Sequence, residues 1–295
     1  MNNINLTSQP WRDYELIDSG DNRKLERYGS YIVIRPETQA IWKPARPKDW
    51  KRANAEFSWI EGKGVWQKKN IPQSWELSWK DIRFIARLTS FKHTGVFPEQ
   101  AVNWQWLSER VDALKQPKVL NLFGYTGIAS IAAAKGKAQV THVDASKQSN
   151  AWAKENARLS GISAVISEGS IRYILEDVLK FSEREARRGA IYDGIILDPP
   201  AFGRGPKGEV WKIEESIPRL LTAIKSILSS KPGSFFLLNG YAAGYSPQSF
   251  LQAVESFFSE KKGDKKGEYG ELRIQEASSG RSVPSGIYVR FTRTS

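Results

Sequence analysis

The stretch KVLNLFGYTGIASIAAAK, residues 118–135, decides the fold. It opens with mostly apolar residues, which predict a buried strand over 118–122, and it ends with small apolar residues, which predict a helix over 129–135. The pair Gly124 and Gly127 lies between them and predicts a tight turn that lets the backbone approach a ligand. A strand that passes through such a turn directly into a helix is typical of the first unit of an α/β sheet.

The same alternation of strand and helix continues toward the C-terminus. Further strands are predicted at 139–143, 172–176, 192–197, 234–239, 271–276 and 287–291, with helices at 148–160, 178–188, 214–229 and 247–259. We therefore expect an α/β fold, a doubly wound and mostly parallel Rossmann-like sheet of seven strands. The last two strands follow each other without a full helix, so we expect them to form an antiparallel hairpin.

The residues before this stretch differ from the rest in tryptophan content and in the pattern of predicted strands. Only Trp152 and Trp211 of the 11 tryptophans lie after residue 110. Short stretches at 31–34, 39–42, 75–79 and 82–88 predict strands, because they alternate or are rich in β-branched and aromatic residues. We place a boundary near Gln116-Pro117, with a small β-rich N-terminal module over 1–115 and the α/β domain over 116–295.

Composition excludes several classes of function. The chain has no cysteine, so it offers no disulfide, thiolate metal site or cysteine nucleophile. His93 and His142 are its two histidines, and we expect no metal site. No run approaches the roughly 20 apolar residues that span a bilayer, and residues 1–5 lack the basic start of a signal peptide. We expect a cytoplasmic protein without membrane contact; oligomeric state is not indicated.

The net charge favours a polyanionic partner. Lys plus Arg is 44 and Asp plus Glu is 32, a formal charge of +12. Each phosphate that a cation neutralises releases counterions, which favours binding of nucleic acid, although solubility alone also explains the excess. The stretch 42–52 contains Trp42 and Trp50 and the cations Lys43, Arg46, Lys51 and Arg52. Such a mixture predicts contact with RNA bases and phosphates, unless the two tryptophans belong to the core of the β-rich module.

An acidic residue follows the second predicted strand. Asp144 lies twenty positions after Gly124 and can accept hydrogen bonds from both ribose hydroxyls of an adenosyl ligand. A nicotinamide dinucleotide is one candidate, but Leu122 occupies a position where the three-glycine fingerprint has glycine. S-adenosylmethionine has no pyrophosphate and can accept the bulkier loop. A tight turn that binds nothing is the third interpretation.

Two further acids follow the third strand. Glu176 and Asp177 lie where open α/β sheets bind ligands, beyond the carboxyl ends of the strands. A carboxylate there can accept a hydrogen bond from the exocyclic amine of adenine. Asp177 is equally suited to cap the helix predicted from residue 178, and the two roles are compatible.

The fourth strand leads into Asp198-Pro199-Pro200-Ala201-Phe202. The prolines restrict the backbone, which can hold the Asp198 side chain and neighbouring carbonyls toward a reacting methyl group. An amine or ring nitrogen that donates to these oxygens would be aligned for attack, so most of the catalysis would be positioning. Phe202 is placed to stack on a base turned out of its strand. The Gly-rich segment that follows, with Arg204, Lys207 and Lys212, predicts a mobile lid.

These motifs together resemble one family. Residues 121–127, 144–146, 176–177 and 198–202 are similar to motifs of the class I S-adenosylmethionine-dependent methyltransferases that include the bacterial 23S rRNA cytosine-C5 and guanine-N7 enzymes. Upstream, the stretch 94–100 resembles the segment of that family that closes over the cofactor. The resemblance covers roughly residues 90 to 295 and extends more weakly to the β-rich module.

The resemblance implies S-adenosyl-L-methionine as the cofactor and RNA, with rRNA favoured, as the partner. It implies contact with the cofactor for Thr94, Gln100, Phe123, Gly124, Tyr125, Thr126, Gly127, Asp144, Ala145, Ser146, Glu176 and Asp177. It implies catalytic or target contact for Asp198, Pro199, Pro200 and Phe202.

Two features depart from the family. Its cytosine-C5 members attack the base with a cysteine, which this chain lacks, so we expect a nitrogen of the base to be methylated. Some members also carry an N-terminal RNA-binding module, for which we expect too little sequence before Tyr31. Three alternatives stay open: a non-catalytic RNA-binding protein with a vestigial cofactor pocket, a nicotinamide-dependent oxidoreductase, and a methyltransferase acting on protein or a small molecule.

Overall fold

The computed structural model describes residues 1–162, 169–241, 244–258 and 263–294. Its strands are β1 (Asn2–Asn3), β2 (Leu6–Ser8), β3 (Tyr14–Gly20), β4 (Arg23–Tyr28), β5 (Tyr31–Pro36), β6 (Ala55–Ile60), β7 (Lys63–Lys68), β8 (Ser74–Trp79), β9 (Ile82–Arg87), β10 (Lys118–Leu122), β11 (Gln139–Asp144), β12 (Ile171–Leu175), β13 (Gly194–Leu197), β14 (Phe202–Arg204), β15 (Val210–Lys212), β16 (Phe235–Gly240), β17 (Lys265–Gln275) and β18 (Ser282–Arg293). Its helices are α1 (Ala101–Asp112), α2 (Ile128–Lys135), α3 (Lys147–Leu159), α4 (Val178–Arg187), α5 (Ile213–Ile227) and α6 (Pro247–Phe257). The predicted end of the last helix, Ser259, lies outside the described residues.

The chain divides into two compact units. The first comprises Met1–Asn5, Asn103–Glu271 and Gly286–Ser295, and the second comprises Leu6–Val102 and Leu272–Ser285. This division differs from the predicted boundary between residues 115 and 116. It also places Leu272–Ser285, which includes the turn of the predicted hairpin, in the second unit, and Met1–Asn5 in the first.

Helix α1 explains most of the difference at the boundary. It packs within the first unit, where the Trp106 ring lies 5.7 Å from the Phe235 ring. Val111 is fully buried, and a Cβ added at Gly136 would lie 2.6 Å from its Cγ1. The sequence pattern assigned this helix to the N-terminal module because it precedes the first strand of the α/β pattern, whereas its apolar residues are buried in the first unit.

The first unit contains a mostly parallel sheet in the order β12-β11-β10-β13-β16-β18-β17-β1. The five strands from β12 to β16 pair in parallel, and β18 pairs antiparallel with β16. All seven predicted strands are present, so the predicted sheet is confirmed. Strand β1, which pairs in parallel with β17, was not predicted.

The central strands are buried on both faces. Every residue of β13 and β16 is buried, as a sheet covered by helices on both sides requires. Helix α4 contacts α5 and α5 contacts α6, whereas α2 contacts α3. The large apolar core includes Leu120, Ile195, Phe236 and Leu220. Among the described residues, no helix is long and apolar enough to cross a membrane.

The second unit is rich in strands, as predicted. It contains a five-stranded sheet in the order β3-β4-β5-β6-β7, the hairpin β8-β9, and β2 paired with Leu272–Ile274 of β17. The predicted strand over 39–42 is wrong. The backbone there forms turns, because Ala40 donates to the Glu37 carbonyl and its own carbonyl accepts from Asn22, 2.8 Å away.

A buried ionic cluster lies in the core of the second unit. The Glu26 carboxylate accepts from Arg35 at 2.7 Å and from the Tyr14 hydroxyl at 2.9 Å. Burial alone would raise the pKa of Glu26, but Arg35 and Lys24 lower it to about 2. Burial raises the pKa of Glu99 to about 7, against the lowering effect of Lys24. The two buried carboxyls therefore differ: cations lower the pKa of Glu26, whereas burial raises the pKa of Glu99.

Candidate active site

The predicted site residues of the first unit follow the carboxyl ends of four adjacent parallel strands. Strands β10, β11, β12 and β13 carry Phe123–Gly127, Asp144–Ser146, Glu176-Asp177 and Asp198–Phe202 in turn. The order of the strands reverses between β10 and β13, which are direct neighbours. Ligands of open α/β sheets bind at such a reversal, so the fold brings these four segments to one edge of the sheet.

The loop after β10 has an unusual backbone. Phe123 and Tyr125 adopt positive φ angles of 58° and 49°, and Gly127 at the start of α2 has φ of 81°. A Cβ added at Gly124 would lie 2.3 Å from the His142 ring, and one added at Gly127 would lie 2.9 Å from Ala153. The predicted tight turn is present, and packing against His142 and Ala153 is a further reason for glycine at these two positions. Approach of this backbone to a ligand stays a prediction.

Asp144 connects the first two loops. Its carboxylate accepts from the backbone N–H of Tyr125 and of Ser146, each at 2.8 Å. Burial raises the pKa of Asp144, although these two hydrogen bonds act to lower it. Each carboxylate oxygen accepts one backbone N–H and has a second lone pair, which leaves acceptor capacity for two hydroxyl groups.

Neighbouring side chains support the same two loops. Thr126 is buried, and its carbonyl accepts from the Asn156 side chain at 2.8 Å. Ser146 caps α3 by accepting from the Ser149 backbone N–H at 3.1 Å, and Ala145 beside it is half-buried. Of these predicted cofactor residues, Thr126 and Ser146 shape the loops through a backbone contact and a capping contact.

The acids after β12 have structural partners. Asp177 caps α4 by accepting from the Lys180 backbone N–H at 2.9 Å, so the predicted capping role is confirmed. The Glu176 carboxylate accepts two hydrogen bonds from the Arg184 guanidinium, one of 2.7 Å. Contact of either acid with an adenine ring stays a prediction.

The loop after β13 is held by internal hydrogen bonds. Trp211 donates its indole N–H to the Pro200 carbonyl at 2.7 Å, and the Ile213 backbone N–H donates to the Ala201 carbonyl at 3.0 Å. Asp198 is half-buried and Pro199 is buried, whereas Phe202 is 57% exposed. The loop therefore presents an exposed ring beside a fixed turn that carries a carboxylate.

Trp211 was not among the predicted site residues. Its side chain is 4% exposed, and its ring meets that of Phe123 edge to face at 4.7 Å. One residue thus contacts both the loop after β10 and the loop after β13. The signal available in the sequence was the scarcity of tryptophan in the second half of the chain, since Trp211 follows the Asp198-Pro-Pro motif closely.

The segment predicted as a Gly-rich loop is a short antiparallel hairpin, β14–β15. Its turn is tied to α4, because Lys180 Nζ lies 2.6 Å from the Glu209 carboxylate. The hairpin structure corrects the expectation of an irregular loop. Movement of this segment as a lid stays a prediction.

Two predicted cofactor residues belong to the second unit. Thr94 is fully buried, and its carbonyl accepts from the Arg87 backbone N–H at 3.0 Å. Gln100 is half-buried at the end of a short 3-10 helix, Pro98–Gln100. Their contact with a cofactor stays a prediction.

The tryptophans of the stretch 42–52 are held within their own unit. Trp42 donates to Ser19 Oγ at 3.1 Å, and Trp50 donates to the Asp18 carboxylate at 2.8 Å. The guanidinium of Arg23 lies 5.0 Å from the Trp50 ring centre. Both tryptophans are half-buried, so their role stays open between the core of the unit and contact with RNA. The cations of the stretch, Lys43, Arg46, Lys51 and Arg52, are exposed.

Solved structures resemble this fold. The crystal structure of an S-adenosylmethionine-dependent methyltransferase from Agrobacterium tumefaciens is 42% identical, covers 98% of this chain and 93% of its own, and superposes with a TM-score of 0.90. A putative methyltransferase of the same kind from Streptococcus mutans, 18% identical, covers 95% of this chain and 75% of its own with a TM-score of 0.73, which shows likeness of fold alone.

Sequence comparison gives the family. The family model described as S-adenosylmethionine-dependent methyltransferase matches residues 52–253. Ribosomal RNA large subunit methyltransferase K/L of Pseudoalteromonas atlantica is 34% identical over 177 residues, 59% of this chain and 23% of that protein. This chain thus spans about a quarter of the length of such curated relatives. The chain belongs to the S-adenosylmethionine-dependent methyltransferases, and S-adenosylmethionine is its cofactor.

The residues at the sheet edge fit this cofactor. The Asp144 carboxylate has acceptor capacity for the two ribose hydroxyls, and the loop after β10 carries no third glycine for a pyrophosphate. Among the described residues, no group of three or more His, Asp and Glu side chains could hold a metal ion.

Proposed function

We propose that this enzyme transfers a methyl group to a nitrogen of a base in RNA, with rRNA as the favoured substrate. The observation that carries the proposal is the segment after β13, in which Asp198 precedes the exposed ring of Phe202 by four residues and Trp211 holds the Pro200 carbonyl between them. A carboxylate and an exposed aromatic ring in one short segment suit a planar target that carries an N–H group. A cytoplasmic location is part of this proposal.

The relatives and the charge support an RNA substrate. Curated relatives at 32–36% identity are named as ribosomal RNA large subunit methyltransferases. The formal charge of +12 favours a polyanion. Because the chain spans about a quarter of those relatives, their substrate is transferred to this enzyme as part of the proposal.

Each residue at the edge has a proposed role. The bound cofactor supplies a methyl group on a sulfonium, which already makes the methyl carbon a good electrophile. Asp144 holds the ribose, and the loop Phe123–Gly127 shapes the cofactor side of the site. Asp198 accepts the target N–H and orients the nitrogen lone pair, and Phe202 stacks on the base. The Pro200 and Ala201 carbonyls each accept one internal N–H group, and Asp198 carries the only carboxylate in residues 198–202, so we assign the target contact to its side chain.

The proposal also specifies the product. Methylation of C5 in a pyrimidine requires a covalent nucleophile to activate the ring, and these 295 residues contain no cysteine. A ring or exocyclic nitrogen carries its own lone pair and needs only orientation and desolvation. We therefore propose a nitrogen as the acceptor.

Product analysis tests the proposal. Protein-stripped rRNA is incubated with the enzyme and methyl-labelled cofactor, digested to nucleosides and analysed by mass spectrometry, with the Asp198→Ala variant as the control for contaminating activity. We expect one N-methylated nucleoside. Labelled 5-methylcytidine, or a covalent adduct with RNA that contains 5-fluoropyrimidine, would refute the mechanism. In a parallel incubation with cell protein freed of RNA, label in protein but none in the rRNA incubation would refute the substrate. Cofactor binding without turnover on any RNA would favour the vestigial pocket.

A further inference from the structure

The hairpin β14–β15 has two unlike faces. Its register pairs Phe202 with Lys212, Gly203 with Trp211, and Arg204 with Val210. Side chains alternate between the faces along a strand, and directly paired residues share a face. Gly203 and Trp211 therefore lie on one face. The other, which we call the outward face, consists of Phe202, Arg204, Val210 and Lys212.

The two faces differ in burial. Trp211 is 4% exposed, whereas Phe202 is 57% exposed and Val210 is 54% exposed. Arg204 is exposed as well. Single exposed apolar side chains are common on soluble proteins. Here, however, an aromatic ring, an aliphatic side chain and two cations lie on one face of the hairpin β14–β15, which directly follows the loop after β13.

The hairpin is held firmly enough to present this face. Trp211 fixes it to the catalytic loop through the 2.7 Å hydrogen bond to the Pro200 carbonyl. Glu209 fixes its turn to α4 through Lys180. A surface fixed at both ends loses little conformational freedom when a ligand binds, which favours binding.

The charge of the outward face is positive. Glu209 is the only acidic residue between Phe202 and Lys212, and its carboxylate bonds to Lys180 and to the backbone N–H of Lys207, 2.9 Å away. Lys212 Nζ lies 2.8 Å from the Glu215 carboxylate, which offsets the charge of Lys212. Arg204 thus supplies most of the positive charge next to the exposed apolar side chains.

We propose that the outward face binds the nucleotides that flank the target base in a single strand of RNA. The target base stacks on Phe202, the next base lies against Val210, and Arg204 contacts the phosphate between them. Bases stack on apolar and aromatic side chains while cations contact phosphates in proteins that bind single strands. This inference rests on the proposed function and adds the surface that selects an RNA strand over a free nucleoside.

Kinetics with RNA test the surface. The variants are Arg204→Ala and Val210→Asp, which leave Asp198, Trp211 and Phe202 in place. We expect each to raise KM for protein-stripped rRNA by about tenfold, with kcat at saturating RNA and the cofactor Kd unchanged. For a labelled single-stranded RNA 12-mer of mixed sequence, Arg204→Ala should make the slope of log affinity against log salt less steep by about one phosphate contact.

Two matched controls come from the opposite end of the same unit. Lys225 is exposed in the last turn of α5, and Ile191 is 49% exposed just before β13. Both lie toward the amino ends of the strands, away from the hairpin. Lys225→Ala and Ile191→Asp should leave KM for RNA and the salt slope as in the wild type.

The outcomes separate this inference from the proposed function. If the wild type methylates no RNA, the proposed function fails and the inference fails with it. If the wild type methylates rRNA and both hairpin variants keep its KM within twofold, the inference alone is overturned. Weakened cofactor binding in either variant would overturn it as well, since the outward face would then act through the cofactor site.

Discussion

Replacement of Trp211 tests whether the two loops of the active site act as one unit. Trp211→Phe removes the indole N–H that donates to the Pro200 carbonyl at 2.7 Å and retains an aromatic ring near Phe123. Pro200 is exposed, so water can replace the lost donor. The cost is therefore that of an ordinary hydrogen bond, about 1 kcal/mol, and not that of a buried carbonyl left without a partner.

Because we expect this hydrogen bond to stabilise the transition state, its loss should raise the activation free energy by that amount and lower kcat about fivefold. Trp211→Ala removes the ring as well. Because the side chain is 4% exposed, truncation should reduce the free energy of unfolding by about 3–5 kcal/mol. It should also weaken cofactor binding, since Phe123 loses its edge-to-face partner, a contact worth about 0.5–1.5 kcal/mol.

The assay combines steady-state methylation of rRNA, calorimetric titration of cofactor, and chemical unfolding for each variant. Trp106→Phe is the control, because the Trp106 ring contacts Phe235 at the first residue of β16, toward the opposite edge of the sheet. It should leave kcat unchanged. Our reasoning would be refuted by a Trp211→Phe enzyme with wild-type kcat, or by an equal loss of kcat in Trp106→Phe.

Three further predictions follow from single side chains. Asp144→Ala should weaken cofactor binding by about 1–3 kcal/mol in calorimetry, because two backbone N–H groups and the ribose lose their acceptor; tighter binding of NADH than of S-adenosylmethionine would contradict the site. Asp198→Ala should lower kcat about 10²–10³-fold and leave the cofactor Kd intact, so a parallel loss of both would contradict its assignment to the target. Glu99 has a pKa raised from 4.5 to about 7, so the folded chain retains a proton that the unfolded chain releases between these values. Its contribution to the free energy of unfolding is complete below about pH 4.5 and decreases by roughly 3 kcal/mol as pH rises through 7. In urea unfolding, the free energy of unfolding of Glu99→Gln should therefore rise relative to that of the wild type by about this amount between pH 5 and pH 8. A difference that stays constant over this range would contradict the raised pKa.

The sequence by itself determined the α/β fold and predicted the edge of the sheet for the candidate site. Apolar periodicity is a local property, and seven strands with their helices were predictable within a few residues of their observed bounds, apart from the longer β17–β18 hairpin. Carboxyl ends of parallel strands meet at one edge of a sheet, so the sequence alone predicts that the motifs after β10 to β13 lie at the same edge. The composition alone excluded cysteine chemistry.

Contacts between residues distant in the chain were decided only by the tertiary structure. Gly124 is required by the His142 ring, and Trp42 and Trp50 are held by Ser19 and Asp18, partners that no local pattern indicates. Helix α1 belongs largely to the first unit because its apolar side chains pack there, as the contact between the Trp106 and Phe235 rings shows. Trp211 became part of the site for the same reason: its two partners precede it by many residues, and packing brings all three together.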